Sequence, residues 1–281
     1  MSLVVVDVAG LVTVQDRGRI GWAHLGVPRA GALDSEAAAL ANRLVGNTPD
    51  DAVLEVTLGR LSFRLGSGRW LAVTGARSVV LLDGLPQAFA TAVYAAPGAL
   101  VEIERPDEGA RAYLAIAGGV AVEPVLGSRS TDTLAGLGPA AVTSGAVLPL
   151  GTATATPRSY DTPRVRSGGM VRLWPGPRVD WFVDDALGRL CQHPYVVSSD
   201  SNRIGVRLNG AALERSRTGE LPSEGMVLGA IQVPPDGQPV VLLHDHPVTG
   251  GYPVAAVVDQ QDLGVLAQAR PGDPIRFARA R

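Results

Sequence analysis

The sequence contains no lysine, so all 25 of its strongly basic side chains are arginine. This absence excludes the lysine that binds phosphates in a P-loop and the lysine that forms a Schiff base with a carbonyl substrate. The sequence also lacks a Walker A motif, a G-x-G-x-x-G motif after a strand and a G-x-S-x-G motif. We therefore expect that this chain binds no nucleotide in either of the two common ways.

Cysteine, long apolar runs and excess charge are also scarce. The single cysteine, Cys191, excludes an internal disulfide and is usual for a reducing compartment. A formal net charge of -2 argues against nucleic-acid binding, which needs a basic surface. No apolar run reaches the roughly 18 residues of a membrane span, and Met1–Gly10 lacks the cationic start of a signal peptide. We expect a cytoplasmic protein without nucleic-acid or membrane partners.

Glycine and proline, in contrast, are abundant, with 34 and 21 residues distributed along the 281. Between them lie short stretches in which apolar and polar residues alternate, the pattern of half-buried β-strands. Residues 54–65 show this pattern twice, on either side of Gly59-Arg60, which predicts a β-hairpin. Short strands at this spacing favour barrels or sandwiches. The chain is predicted to be mainly β with a few short helices.

Three helices are predicted within the β pattern. The first begins at Asp34 or Ser35 as N-cap, carries an apolar stripe and closes near Gly46. The second begins near Asp180, and a shorter one follows Asp262.

The best candidate for a domain boundary is the segment 151–169, in which Thr, Pro, Arg, Ser and Gly replace the apolar alternation. We predict an N-terminal β-rich domain over residues 1–155 and a C-terminal β-barrel domain over residues 156–281. Each is long enough to bury its own core.

The second half of the sequence contains a dense set of arginine, glycine and polar residues. Arg203 and Arg207 flank a glycine, and guanidinium groups beside loop amides suit a carboxylate or a carbamate. The candidate substrate-binding residues are Arg203, Arg207, Gln232, Thr249 and Tyr252, with Gln232 and Tyr252 orienting an amide. Glu224 or Asp245 is the candidate general base, provided that burial raises its pKa.

The same arginines also fit a structural role. In that alternative, Arg203 and Arg207 pair with Glu214, Glu220 or Glu224 and brace the loops.

Histidines and the cysteine offer two further sites, and both have a simpler interpretation. Cys191 with His193 is interpreted as a small buried side chain near a helix end. His244 and His246 are interpreted as surface histidines at a strand end, since a third ligand for a metal is lacking. No metal site is predicted.

The N-terminal segment around Gln15, Asp16, Arg17 and Arg19 is the candidate interface. Asp16 either forms a structural ion pair with a neighbouring arginine and closes a turn, or the segment contacts a partner. Partly exposed apolar residues, Trp22 and Leu25 among them, would then contribute to that surface.

Several of these stretches resemble one family. Gln15-Asp16-Arg17-Gly18-Arg19, with Gly26-Val27-Pro28, Gly31 and Asp34, is similar to the N-terminal signature of the allophanate hydrolase subunit 2 family. That family includes the C-type subunit of bacterial 5-oxoprolinase, the Kip antagonist and one half of the urea carboxylase carboxyltransferase domain. The similarity continues in order through Gly127-Ser128-Arg129-Ser130-Thr131-Asp132, Arg203 to Leu208, Ile231 to Pro239 and Pro271-Gly272-Asp273.

The resemblance implies two β-barrel-like domains of cyclophilin-like topology. It also implies a partner of the allophanate hydrolase subunit 1 (Kip inhibitor) type, in a heterodimer or higher heteromer. In 5-oxoprolinase members, a third, A-type subunit completes an ATP-dependent hydrolase that opens 5-oxo-L-proline to L-glutamate. The implied function is that of a subunit of an ATP-dependent amide hydrolase of the 5-oxoprolinase or allophanate hydrolase type, with 5-oxoproline or allophanate as substrate. No cofactor would be bound by this chain, and the complex would use ATP.

The resemblance leaves two alternatives. One is a biotin-dependent carboxyltransferase component that acts on urea or a related amide, with the biotin on another protein. The other is a non-catalytic antagonist that binds a Kip inhibitor-type protein.

One departure from the family pattern bears on the substrate. Where the family commonly has Asp-Arg-Gln-Thr-Thr-Gly-Gly-Tyr-Pro, this chain has His246, Pro247 and Val248 in place of the Arg, the Gln and the first Thr. If those side chains contact substrate, their replacement calls the identity of the substrate, and even the activity, into question.

Overall fold

The computed structural model describes residues 1–158, 170–183, 185–217, 219 and 221–280. The chain folds as two compact units. The first comprises Met1–Arg19, Ala30–Asp132 and the described part of Gly136–Val165; the second comprises Ile20–Arg29, Thr133–Ala135 and the described part of Arg166–Arg281. Most of the predicted boundary segment lies outside the described residues, so the domain division at residues 155 and 156 stays a prediction.

The first unit is built on a nine-stranded sheet. Its strands are β1 (Ser2–Gln15), β2 (Val53–Leu65), β3 (Arg69–Arg77), β4 (Val80–Leu82), β5 (Leu85–Gln87), β6 (Val93–Ala95), β7 (Leu100–Ile103), β8 (Glu108–Ile116) and β9 (Val147–Pro149). They are ordered β5-β4-β7-β2-β8-β3-β6, with β1 paired to β2 and β9. Alternating apolar residues such as Leu54, Phe63 and Leu114 fill its core.

The predicted hairpin over residues 54–65 is wrong. Those residues form one continuous strand, β2, which pairs antiparallel with β1. The Gly59 backbone lies so close to β1 that a Cβ on it would clash with the carbonyl oxygen of Ala9. Leu58 and Gly10 adopt positive φ angles of 47° and 84° at the same level. Gly59 therefore permits a close approach of β2 to β1 at a bend in this long strand pair, whereas the sequence predicts a turn there.

The predicted helix after Asp34 is confirmed as α1 (Ser35–Leu44), and the Asp34 side chain accepts a hydrogen bond from the Ala37 N–H at 3.1 Å. It packs on β3 and β8. The predicted second helix is two elements, because Phe182 is extended between a 3₁₀ turn at Val179–Trp181 and α2 (Ala186–Gln192). The predicted third helix is α3 (Leu263–Gln268). None of the helices in the described residues is long and apolar enough to cross a bilayer.

The second unit contains a closed barrel of seven strands, ordered β10-β17-β14-β15-β12-β11-β18. The strands of this unit are β10 (Met170–Pro175), β11 (Tyr195–Val197), β12 (Gly205–Asn209), β13 (Glu224–Gly225), β14 (Ala230–Gln232), β15 (Val240–Leu242), β16 (Thr249–Gly250), β17 (Val254–Val258) and β18 (Pro274–Arg279). Strands β13 and β16 pair separately as a small two-stranded sheet. The prediction of a mainly β chain with two barrel-like sheets is confirmed.

Candidate functional site

Four predicted site residues come together at the small sheet of β13 and β16. Glu224 pairs with Gly250 across this sheet, and Thr249 pairs with Gly225. The side chain of Gln232, at the end of β14, packs directly against Gly250, where a Cβ would lie 2.6 Å from Gln232 Nε2. The glycine therefore allows the backbone to approach the amide closely. We call Glu224, Gln232, Thr249 and Tyr252 the β13–β16 cluster.

The amide of Gln232 has a fixed orientation. Gln232 is only 7% exposed, and its Nε2 donates to the Met226 sulfur and to the backbone oxygen of Tyr252, both at 3.2 Å. Because a backbone carbonyl only accepts, the NH₂ group must be the one that points at Tyr252. Both N–H groups of Gln232 are used in this way. Its remaining function is that of an acceptor through Oε1.

Glu224, one of the two candidate bases, is held by an arginine that the sequence did not single out. Arg178 Nε donates to Glu224 Oε2 at 3.1 Å, and Arg178 Nη2 donates to Oε1. The side chains are 37% and 26% exposed, respectively. The sequence signal for Arg178 is modest: it follows the Pro175-Gly176-Pro177 turn, and its backbone N–H donates to Val254 O at 3.2 Å. Glu224 is thus a half-buried carboxylate with both oxygens engaged by one guanidinium.

A second unpredicted arginine, Arg215, lies over the ring of Tyr252. Its guanidinium carbon is 5.8 Å from the ring centroid, and its Nη2 donates to the backbone oxygen of Val233. The Tyr252 side chain is 45% exposed, so this pair lies at the surface of the cluster. A cation over a tyrosine face is attracted by the ring quadrupole. Arg215 lies in a polar run between β12 and β13 that carries no motif, so sequence reasoning had little reason to select it.

Arg203 and Asp245 form an ion pair with each other and are not part of the β13–β16 cluster. Arg203 Nε and Nη2 donate to the two oxygens of Asp245, each at 3.0 Å, and the two side chains are 1% and 0% exposed. Asp245 Oδ2 also accepts from the backbone N–H of Thr133 at 3.0 Å and from its hydroxyl at 2.7 Å. Glu224, an alternative partner considered for Arg203, pairs with Arg178, while Glu220 lies outside the described residues. The arrangement has the features of a buried brace.

Arg207 lies on the exposed side of β12. Its neighbours Val206 and Leu208 are buried, as expected from the alternation of side chains along a strand. Its backbone is held by Ser198 and Ser201, whose groups bond to the Arg207 carbonyl and N–H.

The histidines of the β15–β16 loop are buried, so their interpretation as surface residues is wrong. His244 and His246 are 6% and 9% exposed. Burial lowers the pKa of His246, outweighing the opposing effects of Pro247 and Asp245. Its Nδ1 lies 2.7 Å from the Pro247 carbonyl and must carry the proton in that contact.

Two further candidate sites were the Cys191 thiol and a metal site. Burial raises the pKa of the Cys191 thiol above its ordinary value. In the part of the chain that the structure describes, no group of three His, Cys, Asp or Glu side chains is placed to hold a metal.

In the first unit, Asp16 organises a loop. Its Oδ1 accepts from the hydroxyls of Ser128 and Ser130, both at 2.6 Å, and from the Gly18 N–H at 2.8 Å. Its Oδ2 accepts from the Arg129 N–H at 2.5 Å. The expected turn closure by Asp16 is therefore made with serine and backbone donors.

The other interface candidates divide into buried and exposed side chains. Gln15 is fully buried and donates to the Thr131 carbonyl at 3.0 Å, while Arg19 is 2% exposed and donates to the Val125 carbonyl at 3.2 Å. Arg17 is exposed and pairs with Asp50 at 2.9 Å. Of the four, Arg17 offers the most accessible side chain to a partner, and the interface itself stays a prediction.

The segment Ile20–Arg29, which belongs to the second unit, carries exposed apolar side chains. Ile20 and Leu25 are 67% and 62% exposed, and the rings of Trp22 and His24 stack with centroids 6.3 Å apart. This exposure agrees with the interpretation of the segment as a contact surface.

Comparisons with known proteins match the chain along most of its length. The family described as carboxyltransferase domain, subdomain A and B, matches residues 25–279. The chain is 38% identical to the C-type subunit of the Escherichia coli 5-oxoprolinase over 95% of this chain and 87% of that protein. It is 32% identical to the urea amidolyase of Saccharomyces cerevisiae over 94% of this chain but 16% of that protein.

A solved structure extends the similarity to the fold. The Kluyveromyces lactis urea carboxylase matches with a TM-score of 0.92 at 28% identity, covering 100% of this chain and 27% of that one. The chain spans about half of one solved chain that it matches (55%) and 27% of the Kluyveromyces lactis urea carboxylase. The resemblance inferred from the sequence is confirmed. The homologues of this chain belong to hydrolase and carboxylase systems. Since the match runs through nearly the whole chain, this protein belongs to the family of carboxyltransferase domains, subdomains A and B.

Proposed function

We propose that this chain is one component of a heteromeric, ATP-dependent amide hydrolase of the 5-oxoprolinase type. The observation that carries the proposal is the 38% identity to the C-type subunit of a 5-oxoprolinase over 95% of this chain and 87% of that protein. The absence of lysine and of nucleotide motifs fits a division of labour in which another subunit performs the ATP-dependent step.

In this proposal the β13–β16 cluster binds the amide. Gln232, Thr249 and Tyr252 orient the substrate, and Glu224 removes a proton from the attacking water once the substrate has displaced Arg178.

The remaining candidates of the second unit are given other roles. Asp245, the other candidate base, accepts four hydrogen bonds and has no exposed surface. We therefore assign Asp245 and Arg203 the role of bracing the loop ends. Arg207 stays outside the cluster, on the exposed side of β12.

A partner of the subunit 1 type is proposed to dock on the segment Ile20–Arg29. Exposed Leu25 and Ile20 give it an apolar surface of the kind that interface cores use. A complex that forms equally well with Leu25→Glu would contradict this assignment.

The experiment that tests the function is reconstitution with the subunit 1-type protein and the A-type subunit of 5-oxoprolinase. We expect ATP-dependent conversion of 5-oxo-L-proline to L-glutamate, which stops when any one component is omitted. Unchanged turnover without this chain would refute the proposal.

A second candidate function is carboxyl transfer to urea or a related amide, and the TM-score of 0.92 to a urea carboxylase favours it. The chain has no lysine to carry biotin, so carboxybiotin would come from another protein. Incorporation of labelled bicarbonate into urea by the chain, its partner and a biotin carboxylase would support transfer. That result without 5-oxoproline turnover would replace the first proposal.

A further inference from the structure

Arg215 is a partly buried cation without a carboxylate partner among the described residues. Its Nη2 donates to the Val233 carbonyl, and its guanidinium covers the Tyr252 ring at 5.8 Å. Its Nε is buried and finds no acceptor in the described part of the chain. Buried polar groups in folded proteins are nearly always hydrogen-bonded, so an unused donor needs an explanation.

Other arginines of the same unit show what this guanidinium lacks. Arg172, Arg178 and Arg203 each hold a carboxylate through Nε and Nη2. Arg217 covers the Trp181 ring at 6.0 Å, much as Arg215 covers Tyr252, and it pairs with Asp180 at 2.7 Å. Arg215 therefore has the same aromatic support as Arg217 but, within the described ranges, no anion.

Gln232 carries an acceptor that no described residue uses. Gln232 directly precedes Val233, whose carbonyl binds Arg215, and its Nε2 donates to the backbone of Tyr252, whose ring lies under Arg215. Both N–H groups of Gln232 are engaged, while its Oε1 accepts no hydrogen bond from the described residues. Tyr252 thus contacts both groups: its ring lies under the Arg215 guanidinium, and its backbone oxygen binds the Gln232 amide.

We infer that Arg215 binds the carboxylate of the substrate and that Gln232 Oε1 accepts its amide N–H. The inference rests on the proposed function and narrows it to small amides in which the carbon attached to nitrogen carries a carboxylate. A guanidinium recognises a carboxylate with parallel charge-assisted hydrogen bonds. The lactam 5-oxo-L-proline has this arrangement, whereas urea has no carboxylate.

Calorimetric titration of the chain in complex with its partner tests the inference with two ligands. The first is 5-oxo-L-proline, and the second is 2-pyrrolidinone, the same lactam without the carboxylate. We expect Arg215→Gln to weaken 5-oxoproline binding about 10- to 100-fold, the range for losing hydrogen bonds to a charged group. The matched control Arg217→Gln should change it less than about twofold, because its guanidinium already has Asp180. Neither variant should alter the weaker binding of 2-pyrrolidinone.

Arg215→Lys guards against a folding defect, since it keeps the charge but loses the forked geometry, and it should bind 5-oxoproline between the wild type and Arg215→Gln. Equal binding of 5-oxoproline by Arg215→Gln and the wild type overturns the assignment. So does an equal loss for both ligands, which indicates a structural role. A wild-type complex that binds neither ligand overturns both the substrate and the subsite. Arg215-dependent binding without ATP-dependent turnover refutes the hydrolase alone and supports the subsite.

Discussion

Arg203–Asp245 and Arg178–Glu224 are both guanidinium–carboxylate pairs joined through Nε and Nη2, yet their surroundings differ. The side chains of the first pair are 1% and 0% exposed, and Thr133 adds two further hydrogen bonds to the carboxylate. Those of the second are 37% and 26% exposed, and Glu224 belongs to a two-stranded sheet. A buried pair leaves a costly charge behind when one partner is removed, whereas a partly exposed pair leaves one that water can solvate. Burial therefore separates a brace from a group that can exchange partners.

Removing each carboxylate in turn breaks this comparison most directly. Asp245→Ala is expected to destabilise the protein by about 3–5 kcal/mol, because Arg203 stays buried without its partner. Glu224→Ala should cost about 1 kcal/mol or less, since Arg178 is partly solvated. Urea denaturation of both variants measures the difference. Equal losses would show that the two pairs have the same structural role.

The effects on activity should have the reverse order, with the larger loss at Glu224. In the reconstituted complex, Glu224→Gln is expected to lower kcat about 100-fold or more while leaving the fold intact, because the amide cannot act as a base. The measurement is kcat for 5-oxoproline alongside the denaturation midpoint. A variant that keeps full kcat would remove Glu224 from the catalytic role.

The sequence predicted the parts of this comparison that depend on local patterns. Glu224, Gln232 and Thr249 lie in two- or three-residue strands beside glycine- or proline-rich turns, and Tyr252 follows Gly250-Gly251. Such turns commonly carry functional side chains. Helix α1 was predicted because its cap at Asp34 and its apolar stripe are both local.

Long-range pairing was not predictable in this way. Glu224 finds Arg178 across 46 residues, and Asp245 finds Arg203 across 42. The error at Gly59 has the same origin, because a glycine that turns the chain and a glycine that approaches a distant strand look alike in sequence. Gly59 in β2 approaches Ala9 in β1, and helix α1 lies between these two strands in the sequence. Arg215 carries no local signal, since its place over an aromatic ring depends on the path of the chain between β12 and β16.

The two glycines of the β13–β16 sheet allow a test of the partly exposed site. A Cβ at Gly250 would lie 2.6 Å from Gln232 Nε2, whereas a Cβ at Gly225 meets nothing within 4 Å. Gly250→Ala should therefore displace the Gln232 amide and raise KM about 10-fold, with a stability loss of about 1–2 kcal/mol. Gly225→Ala is the matched control and should leave KM unchanged. Equal KM values for the two variants would show that the position of Gln232 does not matter for binding.

The smallest effect is expected next to the buried pair, at His246. Burial lowers the pKa of His246 in the folded protein, so the unfolded chain takes up a proton first as the pH falls below about 6.5. In that range the unfolded state binds more protons, and the free energy of unfolding therefore falls with decreasing pH until the folded-state pKa is passed. His246→Asn, which keeps an N–H donor for the Pro247 carbonyl, should flatten this slope. His24→Asn, at an exposed position, should retain it. Urea denaturation between about pH 5 and 7 measures both slopes, and an unchanged slope in His246→Asn would assign the pH dependence to another group.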